Sequence, residues 1–446
     1  MKKIKIFFAV LFCKAVRFAA GLLGRGSSLP GQLTLKLFPG ILGDITLPDK
    51  IIAVTGSNGK TSTVEMIAHV LKEGGKKVAY NKEGSNQIEG ITTFLLCDST
   101  LTGKVKSDIV LIESDERFAR HTFKYFKPTY FIITNLYRDQ LTRNGHPEWV
   151  YHVIEEALDD NMHLILNADD PIVSMYGINR EKVSYFGADR LPFDTVYNDS
   201  VYNDGKYCPV CKAKMEYEYY HYNHIGAYKC TSCGYHKNPT SWTITDASLE
   251  DGYIVINGKH RIDLSFSGLY HCYNTLAAFA AADIAGIDAD TAVKALCNYT
   301  MHSGRVTEFD LGNKKGTLLT SKHENSISYD QSIRVVCADK RKVCVMVIVD
   351  AVSRKYFTGE TSWLWDIDFE LLKSENVSGV ILAGRYCNDL ACRFEFAGID
   401  KKKLTVSESI PDAVELMKKS DAEYAYVITC FSDKGKFISC VNKEEK

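Results

Sequence analysis

The sequence predicts an α/β protein in two parts: a larger domain built on a mostly parallel sheet, interrupted by a cysteine-rich insertion, and a smaller α/β domain after it. Three observations predict this. Short β-branched and aromatic runs alternate with stretches of helical period, the pattern of strands joined by crossover helices. From residue 197 to 237 that alternation stops, and tyrosine, cysteine, glycine and lysine dominate. At 446 residues the chain is longer than one ordinary core accommodates.

Residues 4–23 form the first predicted helix, which opens on lysines and runs through Phe7, Phe8, Val10, Leu11, Phe12 and Val16. Lys14 and Arg17 interrupt it, which argues against a membrane span, and no small-residue cleavage site follows. Two readings stay open: docking on the protein's own core, which is favoured, or lying on a membrane surface. The GRGSSLPG loop at 24–31 ends this helix and leads into an irregular segment, so residues 1–47 read as an N-terminal amphipathic helix and entry segment.

Residues 50–54 read as a strand, followed by a glycine-rich turn and a helix-periodic stretch at 63–72. Further strands are predicted at 78–80, 107–112, 130–134 and 163–167, with a helix at 147–158. Strand alternation returns at 241–262, and an alanine-rich helix follows at 274–285. A glycine and lysine loop at 312–315 sets the expected boundary, giving a central domain at 48–312 and a C-terminal domain at 313–446. The latter has predicted strands at 343–349, 380–382 and 424–428 and a helix at 409–419.

Basic residues number 54 against 55 acidic ones, so no electrostatic footprint of a nucleic-acid binder exists and small molecules or proteins are the expected partners. Four of the fourteen cysteines fall into two CxxC pairs, which fits a reducing cytoplasm better than a disulfide scaffold.

Residues 55–62 read TGSNGKTS, directly after a strand and before a helix. Gly56 and Gly59 let the backbone bend around Ser57 and Asn58 so that N–H groups face an anion, and the helix beginning near Ser62 offers its positive end. Lys60 is placed to neutralise β/γ oxygens and the Thr61 hydroxyl to ligate Mg²⁺. The loop therefore predicts ATP binding, without separating an ATPase from a kinase or a ligase.

The pairs Cys208/Cys211 and Cys230/Cys233 lie within the insertion, delimited as 205–237. Four thiolates complete a tetrahedral Zn²⁺ shell and leave no position for water, so the expected metal is structural, in a ribbon too small for a core of its own. A redox dithiol, unrelated buried cysteines and a nucleic-acid-binding ribbon are the alternatives.

The form TGSNGKTS resembles the ATP loop of the Mur ligase superfamily, and the similarity continues along the chain. It takes in IESDE with Glu113 and Glu116, NLYRDQLT at 135–142, NADDP at 167–171, GLYHCYNTLAA at 268–278, Gly304-Arg305, and TSKHEN around Lys322. The resemblance implies that Glu113, with Glu116 as a second candidate, holds Mg²⁺, and that Asn274 meets the adenine. It further implies that Arg305 approaches the nucleotide phosphates and Lys322 the γ-phosphate. Gln140 stands where many members have a metal-binding histidine, and His271 where asparagine is usual.

A Mur-type domain with a four-cysteine insertion, the SWLWD run at 362–366 and LAGRYCNDLACR at 382–393 are similar to the MurT branch of that superfamily. Membership there implies ATP-dependent amidation, through an acyl phosphate, of the D-glutamate α-carboxylate of the lipid II stem peptide at the membrane surface. Ammonia would come from a separate GatD-type glutaminase subunit, whose histidine Asp350 would orient. The run AVSRKYFTGET after Asp350 replaces a shorter family segment. An amino-acid-adding Mur ligase, a folylpolyglutamate synthetase-like ligase and a non-catalytic nucleotide-binding scaffold remain alternatives.

Overall fold

A computed structural model describes residues 2–22, 26–81, 85–139, 145–265, 268–300, 305–352 and 359–441. Gln140, Gly304, most of the run after Asp350 and the charged tail at 443–446 lie outside the described residues. The chain divides into two compact units. The first comprises residues 1–137, 147–199 and 203–301, and the second residues 138–146, 200–202 and 302–446.

Unit one opens with α1 (Lys2–Gly21) and α2 (Leu29–Leu37). The second helix occupies part of the segment expected to be irregular. Pro30 sits in its first turn, where a missing N–H costs nothing, so the glycine-proline signal marks a helix start here. Ile6, Ala9, Val10 and Cys13 of α1 pack with Ile41 and Leu96, so α1 docks on the protein's own core, as favoured from the sequence.

The main sheet is built from β1 (Lys50–Thr55), β2 (Val78–Tyr80), β3 (Ile109–Glu113), β4 (Tyr130–Ile133), β5 (His163–Asn167) and β6 (Val183–Ala188). The hairpin β7 (Met215–Tyr222) and β8 (Ile225–Cys230) is a separate two-stranded sheet, and β9 (Trp242–Ser248), β10 (Tyr253–Ile256) and β11 (His260–Asp263) complete the large one. Its order is β11-β10-β9-β6-β5-β4-β1-β3-β2, parallel from β2 to β9 and antiparallel in the last two pairings. β1 lies between β3 and β4, so consecutive strands depart to opposite sides of it. That is a topological switch point, and the crevice at the carboxyl ends of β1, β3 and β4 is where such sheets bind ligands. The helices α3 (Lys60–Glu73), α4 (Ile88–Asp98) and α5 (Leu269–Ala285) belong to this unit. α5 starts five residues earlier than its apolar period suggested, because Tyr270, His271 and Tyr273 obscure the pattern.

Unit two carries the sheet β12-β13-β17-β14-β15-β16, formed by β12 (Val306–Asp310), β13 (Lys315–Ser321), β14 (Val343–Ile348), β15 (Val377–Ala383), β16 (Leu404–Ser407) and β17 (Tyr424–Cys430). The loop at 312–315, read from the sequence as a domain boundary, is instead the turn of the antiparallel β12–β13 hairpin. Polar residues dominate 306–310, so no strand was visible there, and pairing with β13 decides it. β14 alternates between two cores: Val343, Val345 and Val347 enter one, Cys344, Met346 and Ile348 the other. This explains its unbroken apolar run, since a central parallel strand is covered on both faces.

Candidate active site

The loop after β1 is shaped by two glycines in left-handed conformations, Gly56 at φ 142° and Gly59 at φ 82°. Each also permits a close approach: an added Cβ would lie 2.2 Å from the Thr134 hydroxyl at Gly56 and 2.2 Å from Asn274 Oδ1 at Gly59. The residues after β4 form the loop's wall. Ser57 N donates to the Asn135 carbonyl at 2.9 Å and Asn58 N to Asn135 Oδ1 at 2.9 Å, while the Ser57 hydroxyl accepts from Tyr137 N at 2.9 Å. Asn135 is thus a positioning residue that the sequence showed only as part of a segment. α3 begins at once, with its first main-chain bond from Thr63 N to Gly59 O. The N–H groups of residues 60–62 precede that bond, and the first-turn N–H groups of a helix are the ones a helix start turns toward an anion.

Lys60 is buried, and its ammonium bonds the Gly56 carbonyl and Glu116 Oε1, the latter at 2.5 Å. Thr61 is exposed and Ser62 half-buried at the start of α3. Glu113 ends β3 and is buried. Its main chain is clamped by Asn81, whose amide donates to Glu113 O at 3.2 Å and accepts from Glu113 N at 3.0 Å, and its Oε1 takes a bond from Asn86 at 3.3 Å. The parallel register of β2 on β3 brings Asn81 there. The two carboxylates offered as Mg²⁺ ligands, Glu113 first and Glu116 second, therefore differ: Glu116 balances Lys60, and Glu113 is held by neutral amides.

On α5, Asn274 is buried against Gly59. His271 is buried on the same helix, 3.3 Å from the Ser265 hydroxyl, and burial pushes its pKa down to about 4 from 6.5. In the unfolded chain the imidazole takes up a proton below pH 6.5, whereas in the folded chain it does so only near pH 4. The native state therefore keeps this contribution at neutral pH and loses it as pH falls through that window. Urea unfolding at pH 7 and pH 5 should differ by about 2 kcal/mol more in the natural protein than in His271→Asn. Equal differences would show that the ring protonates freely.

The NADDP turn joins the insertion to this site. Asp169 accepts from Ala188 N at 2.7 Å and the Tyr273 hydroxyl at 2.6 Å, and pairs with Lys237 Nζ at 2.7 Å. Asp170 caps the turn at Ile172 N, 2.9 Å, and accepts from Leu136 N, 2.9 Å, beside the Asn135 that holds the phosphate loop. From the insertion, Gly226 N donates to Asp169 O at 3.0 Å and the Tyr235 hydroxyl to Pro171 O at 2.7 Å. Both aspartates are fully buried. The sequence signal for them was two adjacent acids at a strand end, a place where exposed carboxylates are commoner than buried ones.

At the open end of the hairpin, opposite its turn, the sulfurs of Cys208, Cys211, Cys230 and Cys233 lie within 4.8 Å of one another, with Cys208···Cys233 at 3.6 Å and Cys211···Cys230 at 3.5 Å. Tetrahedral zinc with bonds of about 2.3 Å requires sulfurs roughly 3.8 Å apart, so the donor set fits. The N–H of Cys233, then that of Ser232, lowers the Cys230 thiol to about 6, which favours the ligating thiolate.

In unit two, Lys322 follows β13 and pairs through its ammonium with Asp139. Asn325 donates to Asp139 Oδ1 at 2.8 Å and caps the helix Ser326–Ala338 through Ser328 N at 2.8 Å. Asp139, buried and unremarked in the sequence, therefore organises the lysine. The Arg305 guanidinium lies over the Phe431 ring, 5.6 Å from its centroid, and its carbonyl accepts from Thr320 N at 2.7 Å.

Asp350 lies just past β14. Its Oδ1 accepts from Arg385 N at 2.7 Å and its Oδ2 pairs with Lys436. Burial alone would raise its pKa, but the Lys436 ammonium and the Arg385 N–H outweigh burial and hold the carboxyl below the usual range. Asp433, fully buried and not foreseen, accepts from Asp350 N at 2.9 Å and Ala351 N at 3.0 Å and so fixes the main chain there.

Residues 54–202 match the Mur ligase middle domain family and residues 323–433 the MurT ligase C-terminal family. Over 438 residues the chain is 30% identical to the lipid II isoglutaminyl synthase (glutamine-hydrolyzing) subunit MurT of Streptococcus pneumoniae, covering 96% of this chain and 95% of that protein. The subunit of the same description from Staphylococcus aureus is 29% identical, over 88% of each chain. Among solved structures, a pseudomurein peptide ligase type C from Methanothermus fervidus superimposes with TM-score 0.69 at 21% identity, covering 91% of this chain and 81% of its own. The MurF ligase of Thermotoga maritima in complex with ADP gives 0.60 at 15% identity, over 92% and 84%. These two likenesses establish the shared fold.

Proposed function

Because the chain belongs to the MurT family of Mur ligases, we propose that it is the ligase subunit of a lipid II isoglutaminyl synthase. In this reading it amidates the D-glutamate α-carboxylate of the stem peptide with ammonia released from glutamine by a GatD-type subunit. The observation that carries the proposal is full-length similarity to such subunits combined with a glycine-bent loop that buries Lys60 at the switch point of the sheet.

A carboxylate is a poor electrophile until one oxygen becomes part of a leaving group. Its oxygen attacks the γ-phosphorus of ATP, ADP departs, and an acyl phosphate forms. Ammonia then adds to the acyl carbon, inorganic phosphate leaves, and the nitrogen gives up a proton to yield the amide. The residues of the loop act on charge: the N–H groups at the start of α3 face the phosphates, and Lys60 exchanges Glu116 for a phosphate oxygen. Mg²⁺, when bound by Thr61 and Glu113, supplies further neutralisation of the β/γ oxygens. The family pattern assigns Asn274 to the adenine side and Arg305 and Lys322, the latter paired here with Asp139, to the phosphates. Zn²⁺ on Cys208, Cys211, Cys230 and Cys233 has a structural role. The chain acts on the cytoplasmic side, where ATP is available. Incubating the purified pair with lipid II, ATP and glutamine, then measuring the product by mass spectrometry, tests this; ATP turnover with no carboxamide formed would refute the substrate.

Asp350 is proposed to serve the glutaminase partner, not the phosphoryl transfer. Asp350→Asn should therefore reduce glutamine-dependent amidation at least tenfold, roughly the loss of one charge-assisted hydrogen bond. Amidation driven by added ammonium should stay near the natural rate. Equal loss in both assays would place Asp350 in the ligase chemistry or in folding.

A further inference from the structure

The docked face of α1 leaves a second stripe outward. Ile4, Phe7, Phe8, Leu11, Phe18 and Leu22 recur at helical spacing on the side opposite Ile6, Val10 and Cys13, and all are exposed, Phe18 by 76% and Leu22 by 78%. Burying one face of a helix while presenting large apolar side chains along the other is costly in water and marks a surface that another phase or molecule covers. Within residues 2–22 every charged side chain is basic: Lys2, Lys3, Lys5, Lys14 and Arg17. Lys2 and Lys5 pair with Asp44, Lys14 donates to Ser99 O at 2.6 Å and Arg17 to Gly26 O, contacts that fix the helix from beneath. No helix among the described residues is long and apolar enough to cross a membrane.

We infer that α1 is an interfacial anchor: it lies in the plane of an anionic phospholipid surface, sinks its outer stripe into the headgroup and acyl boundary, and brings exposed Lys3 and the net positive charge of its segment to the lipid phosphates. Charge selects this occupant. An apolar stripe on a helix whose own charged residues are all basic suits an anionic bilayer, whereas a second copy of α1 would bring like net charge face to face. Docking on the protein's own core and lying on a membrane are thus the two faces of one helix. The inference deepens the proposed function by holding the chain where a lipid-linked substrate is presented, but its evidence is the helix itself.

The test uses the full-length protein with vesicles of phosphatidylglycerol or phosphatidylcholine, free of substrate and ATP, so its outcome is independent of the catalytic reading. The natural protein should sediment with the anionic vesicles, less so in high salt, and weakly with the neutral ones. Phe8→Glu/Leu11→Glu should lose roughly tenfold or more in partitioning, the effect of placing charge in the buried stripe. Its thermal transition should be unchanged, because both side chains already face outward. Phe18→Trp should fold as the natural protein does, and its indole emission should shift to the blue on adding anionic vesicles. Absence of sedimentation and of any spectral shift would overturn the inference. So would undiminished binding by the double variant, or a natural protein that ignores vesicles but self-associates through this face until Phe8→Glu/Leu11→Glu makes it monomeric.

Discussion

Lys60→Ala should lower ATP turnover by roughly 10²- to 10³-fold, the loss typical when one preorganised charge-stabilising donor is removed from a water-poor site. The structure adds a complication that the loop motif does not reveal. Lys60 and Glu116 are both buried and paired at 2.5 Å, so the substitution strands a carboxylate in a poorly solvated place. Removing one partner of such a pair costs about 3–5 kcal/mol, enough to lower the unfolding temperature by itself. Lys60→Ala/Glu116→Gln separates the effects: the neutral amide removes the stranded charge, so stability should largely return while turnover stays lost. Calorimetry and an ADP-release assay on the three proteins check this. Turnover surviving in Lys60→Ala would defeat the phosphoryl-transfer reading, and turnover returning with Glu116→Gln would mean that lost stability, not lost charge, had silenced the enzyme.

The second large effect should follow from emptying the cysteine cluster. Each natural chain should carry one zinc ion by elemental analysis, and Cys208→Ser/Cys230→Ser none. Apparent zinc-binding energies of about 10–16 kcal/mol in small peptide sites show how much folding a four-thiolate cluster can support. The hairpin here has only a small apolar cluster around Met215 and Tyr228, so without metal it should come undone. The consequence should travel. Gly226 and Tyr235 hold the turn containing Asp169 and Asp170, and Asp170 holds Leu136 next to the Asn135 that shapes the phosphate loop. Metal loss should therefore weaken nucleotide affinity about tenfold, as expected for one or two disturbed hydrogen bonds, in addition to lowering the unfolding temperature. If the ion is only a local clip, chelation will melt the hairpin and leave nucleotide binding untouched, and the proposed chain of contacts is wrong.

Much of this site was legible without coordinates, for a reason that differs from residue to residue. Gly56, Gly59 and Lys60 could be located because a phosphate loop is a local device: its turn, its helix start and its cation lie within eight consecutive residues. The cysteine pairs were equally local. The sequence showed Asn135, Asp139 and Asp170 only within segments of family resemblance, and Asn81 and Asp433 not at all, because each is by itself an ordinary polar residue. Its importance arises from a partner 30 or more residues distant, as with Asn81 and Glu113, or Asp433 and Asp350.

By itself the sequence determined the alternation of strands and helices, the glycine-bent turn before α3, the four-cysteine cluster and the resemblance that led to the family, all of which are written in short spacings. Only the tertiary structure decided that Glu116 neutralises Lys60 while Glu113 is held by amides, that the Gly312 loop is a hairpin turn, and that α1 has one docked and one bare apolar face. Each of those depends on which strands become neighbours and which side of an element meets the core. Burial and hydrogen-bond partners are properties of that pairing, and no single segment encodes them.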